Sequence, residues 1–148
     1  MKKIICSAVL LLSSFLSFGQ NKSLKESYKN TFKVGVAVNP EIVSGIDKQS
    51  QAIVKEHFNA ITVENVMKAA LINPEPGVYN FGPADEYVQF GKANNMFIIG
   101  HTLVWHNQTP EWFFKDEKGN LHAKEAVKQR LHDHIKLVAG RYAGKVNA

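Results

Sequence analysis

Cysteine is nearly absent: the 148 residues hold one, Cys6, and it falls in a segment expected to be removed. The remaining chain then has no thiol, which suits export but rules out a disulfide framework and leaves the fold to non-covalent packing. A strong excess of one charge is also missing. The formal net charge is +5, and without Lys2 and Lys3 it falls to +3, from 16 basic against 13 acidic residues with no basic stripe. Nucleic acid is therefore not expected as a partner. No apolar run reaches the roughly 20 residues needed to span a bilayer. A glycine-rich turn after the first expected strand is missing too, since Val38-Asn39-Pro40-Glu41 stands there. That argues against a doubly wound nucleotide-binding sheet. No internal repeat or low-complexity stretch interrupts the chain.

What is present begins with Met1-Lys2-Lys3 and an apolar run from Ile4 to Phe18, followed by the small residue Gly19. A charged start, a short apolar core and small residues near its end describe a secretory signal peptide over residues 1–19, with cleavage near Gly19 or Gln20. Residues 20–31 are a polar, lysine-rich leader with one helical turn expected around Leu24 to Tyr28. About 128 residues follow the cleavage point, one ordinary domain but about half of a typical (β/α)8 barrel of ~250.

Beyond the leader, Phe32 to Asn39 reads as a buried strand ended by Pro40. Asp47 can cap a helix carrying Ile53, Val54 and Phe58 inward. Ala60 to Asn65 is a second strand with a polar end, and Asn73-Pro74-Glu75-Pro76-Gly77 is a loop by turn chemistry. Pro83 suits the first turn of a helix through Asn94, with Ala84, Tyr87, Val88 and Gly91 at helical spacing. Met96 to Trp105 is a third apolar strand. Ala123 to Tyr142 is a long helix with Val127, Leu131, Ile135, Val138 and Tyr142 on one face, closed by Gly144, and Val146 to Ala148 looks like a further strand beginning. Strand and helix alternate, so a parallel sheet is expected. Polar residues collect at the C-terminal ends of the second and third strands, where barrels carry their sites, so a barrel is preferred.

Two segments carry the chemistry. Thr62-Val63-Glu64-Asn65-Val66-Met67-Lys68 offers a carboxylate, an amide and an ammonium within five residues, enough to meet several hydroxyl groups at once. Read alone, it could equally be a solvated loop with an incidental ion pair. The stretch from Gly100 to Phe113 places His101, Trp105, His106, Gln108 and Trp112 where an apolar strand meets its loop. Sugars present flat C–H faces rimmed with hydroxyls, and aromatic platforms edged by polar groups match them. A core tryptophan and satisfied structural histidines are the bland alternatives, and clustering at one rim with the Glu64 segment argues against them.

Phe58-Asn59-x-x-Thr62-x-Glu64-Asn65-x-Met67-Lys68, then Gly100-His101-Thr102-Leu103-Val104-Trp105-His106-x-Gln108-x-Pro110-x-Trp112, resembles glycoside hydrolase family ten. Gly35 to Val38 is similar to that family's first strand, and Tyr79-Asn80-Phe81 with Ala84-Asp85 to its connection between the motifs. The similarity runs from about Phe32 to Ala148, which makes residues 32–148 the N-terminal part of a catalytic domain. It implies a (β/α)8 TIM barrel, here about three βα units plus the start of strand four, that cuts internal β-1,4 bonds of xylan with retention. It also implies that Glu64, Asn65 and Lys68 hydrogen-bond xylose units on the non-reducing side of the cleavage point. His101, Trp105 and Gln108 would frame the sugar beside the scissile bond.

Retention requires two carboxyl groups ~5.5 Å apart. The resemblance puts them at the ends of strands four and seven, so no catalytic residue is assigned within the 148. Xylan or a xylo-oligosaccharide is the expected partner, with no cofactor, no metal, no nucleic acid and no membrane association after signal cleavage. The oligomeric state is left open. Two other readings compete. A zinc hydrolase would use His101 and His106 with Glu64 or His57, but histidines five apart on a strand point to opposite faces. A non-catalytic carbohydrate-binding protein would usually be a sandwich of short strands, which three long helical patterns oppose.

The expected location is outside the cell or in the periplasm. N-terminal sequencing of exported protein should show a loss of about 20 residues, and a chain still starting at Met1 would refute it.

Overall fold

The computed structural model describes residues 22–148, so the expected signal segment and Cys6 lie outside the described residues. The described part starts with the one-turn helix α1 (Leu24–Ser27) and the strand β1 (Gly35–Val38). The helices α2 (Pro40–Ser44) and α3 (Lys48–His57) follow, then the strand β2 (Ala60–Val63). The helices α4 (Ala69–Ile72) and α5 (Gly82–Ala93) lead to the strand β3 (Phe97–Ile99). After a 3-10 turn at Glu111–Phe113 comes the long helix α6 (Lys124–Tyr142). The strands form one parallel sheet in the order β1-β2-β3. Among the described residues no helix is long and apolar enough to cross a membrane.

The register lines up Val36, Ile61 and Ile98 across the sheet, with Val38 beside Val63 one step on. This face carries the core. Ile61 and Ile98 are fully buried, and α5 lies against them with Ala84, Tyr87, Val88 and Phe90. Gly91 makes that approach possible. A Cβ there would come within 2.7 Å of Ile98 and 3.0 Å of Ile61, so the helix would have to lift off the sheet. The opposite row, Ala37, Thr62 and Ile99, is only half-covered or exposed. β1 was expected to be buried, but as an edge strand it buries only Val38 completely.

Local signals explain the element boundaries. Pro40 ends β1 and also opens α2, whose first turn is capped by the Asn39 side chain accepting from the Ile42 amide at 3.0 Å. Asp47 caps α3 through the Ser50 amide at 3.0 Å. Of the three residues expected inward on α3, Val54 is buried. Ile53 is 48% exposed and Phe58 lies just past the helix end, because the helix meets the sheet along a narrower stripe. β3 is shorter than expected: it ends at Ile99, and residues 100–110 form a loop. On α6 the buried stripe runs through His134, Val138 and Tyr142, while Ile135 is 39% exposed. Val146–Ala148 lies along β3 as expected for a strand beginning. The Ala148 amide donates to the Ile98 carbonyl at 3.3 Å, and the Gly100 amide donates to the Ala148 carbonyl at 2.7 Å, which is parallel-ladder bonding.

One polar knot joins α5 to α6. The Arg141 guanidinium grips both carboxylate oxygens of Asp85, with Nε to Oδ1 at 3.1 Å, and the Tyr142 hydroxyl donates to the same Oδ1 at 3.0 Å. Arg141 also lies 4.3 Å over the Phe81 ring. The hydrogen bond from Arg141, helped by Tyr142, holds the Asp85 carboxyl below the usual carboxylate range. Its folded value is therefore lower than its unfolded one, so its stabilisation is complete above about pH 4 and fades as pH falls through the folded value. Because the pair is partly exposed, the effect is modest. Asp85→Asn should lower the melting temperature at pH 7 by about 3 °C, with the gap to the unmodified protein closing toward pH 3. A gap that stays constant across that range would exclude this account.

Candidate functional site

Because the strands are parallel, their carboxyl ends share one rim. The Glu64 amide donates to the Val38 carbonyl at 3.1 Å, so the segment after β2 starts beside the end of β1. From there Val66, Met67, Ala69 and Ile72 turn down into the core, while Glu64 and Asn65 stay exposed and Lys68 half-buried. Alternation of apolar anchors with polar tips raises the polar groups above the sheet on a firm base.

The Lys68 ammonium sits 2.9 Å from Asn65 Oδ1 and 4.9 Å over the Trp105 ring. It therefore links the two sequence motifs. Trp105 also lies near both histidines, with ring centroids 6.3 Å from His101 and 5.2 Å from His106. Four of the six sequence-selected residues, Asn65, Lys68, Trp105 and His101, thus form one contiguous cluster. Gln108 joins it through the backbone: its carbonyl accepts from the Ala70 amide at 2.9 Å, two residues past Lys68. It holds a φ of 56°, which few non-glycine residues adopt. Among the described residues the Glu64 carboxylate has no hydrogen-bond or ion-pair partner and faces solvent at the same rim.

His101 and His106 lie in a loop, so the strand alternation that was expected to part them does not apply. Each ring instead lies against the Trp105 indole. Among the described residues no three His, Cys, Asp or Glu side chains gather where one metal ion could bind them. The cluster offers an aromatic face, an ammonium, an amide and imidazole nitrogens, a set suited to a neutral ligand with many hydroxyls.

Trp112 has a different task. Its indole Nε1–H donates to the Asn73 carbonyl at 3.2 Å, and its ring packs on Phe113 at 4.3 Å. Asn73 is buried, and its amide donates to the carbonyls of Glu75 and Val78 at 3.0 and 2.7 Å. The two rim loops are thereby stitched together below the exposed cluster. Sequence reasoning did not select Asn73, Arg130 or His134. His134 could have been found, because it falls between Leu131 and Val138 at helical spacing where an apolar residue is expected. Asn73 gave only a turn signal.

Comparison with known proteins bears on this rim. The sequence profile described as "Glycosyl hydrolase family 10" matches residues 23–148. An endo-1,4-beta-xylanase A of Thermotoga maritima is 48% identical over 130 residues, which are 85% of this chain and 12% of that protein. A beta-1,4-xylanase of Dictyoglomus thermophilum is 48% identical over 126 residues, 85% of this chain and 33% of that protein. The chain thus spans a third or less of the length of these curated relatives. Among solved structures, a Paenibacillus barcinonensis xylanase complexed with a conduramine derivative superposes with a TM-score of 0.79 at 39% identity. It covers 88% of this chain and 38% of that one. A mutant in complex with xylotriose superposes with a TM-score of 0.74 at 45% identity, covering 81% and 35%.

Proposed function

The chain belongs to glycosyl hydrolase family 10 and forms the N-terminal part of its (β/α)8 barrel, and from that membership we propose that the protein is a secreted endo-1,4-β-xylanase. The observation that carries the reading is the Asn65–Lys68–Trp105 cluster at the carboxyl rim of the sheet, the face on which barrel enzymes work. The proposed substrate is xylan or a xylo-oligosaccharide. The xylotriose bound by one structural relative supports that class.

In this proposal Glu64, Asn65 and Lys68 bind the xylose units on the non-reducing side of the bond to be cut. His101, Trp105 and Gln108 frame the sugar beside it. An ammonium has three N–H donors, and Asn65 takes one, leaving two for sugar hydroxyls. The Asn65 amide and the Glu64 carboxylate supply further donors and acceptors, while the indole covers a C–H face. Hydrolysis with retention proceeds through one carboxyl group acting as acid and base and a second as nucleophile, ~5.5 Å apart. The proposal places both beyond strand three, at the ends of strands four and seven, outside the 148 residues. These residues then bind and orient substrate and do not carry the bond-breaking step.

A non-catalytic carbohydrate-binding protein is the alternative in which the same rim holds sugar with no reaction. Kinetics decide between them. In the protein at its full coded length, Lys68→Ala and Trp105→Ala should each lower kcat/KM on xylo-oligosaccharides at least tenfold, or about 1.4 kcal/mol. Unchanged kinetics in well-folded variants would return both residues to structural roles. The 148 residues made alone should release no reducing sugar from xylan, and measurable cleavage would overturn the placement of the catalytic pair.

A further inference from the structure

The loop that presents Trp105 and Gln108 rests on α6 at two points four residues apart on that helix. At the first, His134 is 1% exposed and brings Nε2 to 3.0 Å from the Leu103 carbonyl. A carbonyl can only accept, so Nε2 carries the proton. Nδ1 is then the unprotonated nitrogen, and among the described residues it is buried without a partner. At the second point Arg130 Nη1 donates to the carbonyls of Trp112 and Phe113 at 2.9 and 3.3 Å, and its guanidinium lies 5.7 Å over the Trp112 ring. The Phe113 ring, fully buried, meets His134 edge-on at 5.5 Å and fills the space between the two points.

Residues 103–113 therefore form an arch with both feet on one helix. Its crown is tied by the Ala70 amide to the Gln108 carbonyl at 2.9 Å. Inside it the Thr109 hydroxyl donates to the Trp105 carbonyl at 2.5 Å. One turn of helix fixes the span between the feet at about 6 Å. We propose that Arg130 and His134 are positioning residues that hold this arch and so set where Trp105 and Gln108 stand relative to Lys68. Neither touches a ligand in this account. Both hydrogen-bond to main-chain carbonyls, so their hold on the loop does not depend on the side chains displayed at its crown. Burial keeps the His134 imidazole below its ordinary pKa, against the weaker pull of the Leu103 carbonyl. The imidazole therefore stays neutral, with a single N–H for the arch. The consequence for sugar binding rests on the xylanase reading, whereas the hold on the arch does not.

The test uses the protein at its full coded length, with hydrogen exchange read by mass spectrometry and xylotriose affinity by calorimetry. His134→Gln keeps an N–H donor at the reach of Nε2, and His134→Leu keeps bulk without a donor. Arg130→Met keeps the stem of a partly exposed side chain without the fork, so it carries the test should a His134 variant misfold. His134→Leu and Arg130→Met should each speed exchange over residues 100–113 about tenfold and weaken xylotriose binding about tenfold. The segment 82–93 should stay as protected as in the unmodified protein. His134→Gln should remain within about twofold on both readings. Exchange over 100–113 that is unchanged in Arg130→Met, or His134→Gln as impaired as His134→Leu, would overturn the proposal. If the unmodified protein fails to bind xylotriose but the exchange pattern appears, the arch stands and the sugar reading falls.

Discussion

A single buried hydroxyl ties the rim together from below. Tyr87, fully buried on α5, brings its oxygen to 2.9 Å from both the Ile61 carbonyl of β2 and the Ile99 carbonyl of β3. A phenol has one proton, so the two carbonyls share it. Burial raises its pKa far beyond the physiological range, which keeps that proton in place. The parallel register decides why this matters: once Ile61 and Ile98 are level, the carboxyl ends of the two strands fall within one residue of each other. The segments that follow, one bearing Lys68 and the other Trp105, then start side by side. A slip of one residue would turn every side chain of β3 to the opposite face, and the Ile98 row that seats Gly91 would be lost.

Above that level, fixed and available groups separate cleanly. The fixed ones are apolar side chains and main-chain polar atoms: Met67 and Phe113 in the core, Gln108 bonded through its carbonyl, Leu103 and Trp112 bonded through theirs. The available ones are side-chain tips at the surface. This arrangement suits recognition of a neutral polyol. Each hydroxyl contact adds little net free energy, so affinity depends on several donors and acceptors standing ready in place, with ordering entropy already spent in folding.

The sequence revealed helices better than it revealed strands and loops. α5 was legible because Ala84, Tyr87, Val88 and Gly91 repeat at helical spacing and all four are buried. The apolar run from Met96 to Trp105 overstated β3, because hydrophobicity does not show where a chain leaves its ladder. Here it leaves just after Gly100, whose amide still bonds Ala148, and the residues beyond are held by tertiary contacts instead. On α6, choosing Ile135 over His134 amounts to a rotation of one residue, about 100°. Hydropathy preferred the isoleucine, whereas the helix buries the histidine because it has a carbonyl to meet. The short helices α2 and α4, at four or five residues, are too brief for periodicity to register. The rim residues were legible as a set because their motifs resemble a family. The stitching beneath them was not, because it runs through carbonyl oxygens that every residue possesses.

Under the proposed function, Lys68 is a charged group that serves an uncharged ligand, and its surroundings suit that task. A free surface ammonium is strongly hydrated and mobile, so it would lose water and rotamer freedom on meeting a sugar. Here the amide of Asn65 takes one donor at 2.9 Å, and the Trp105 face lies 4.9 Å away. The ring quadrupole stabilises the charge without consuming an N–H. The ammonium is thus oriented before any ligand arrives, and its unused donors stay available. Moving Trp105 would disturb the lysine's orientation and, under the proposed function, the flat surface offered to a sugar ring as well. Under that proposal the coupling asks for a rigid arch beneath Trp105: its height would set a platform and a donor direction at once, and one displacement would misplace both.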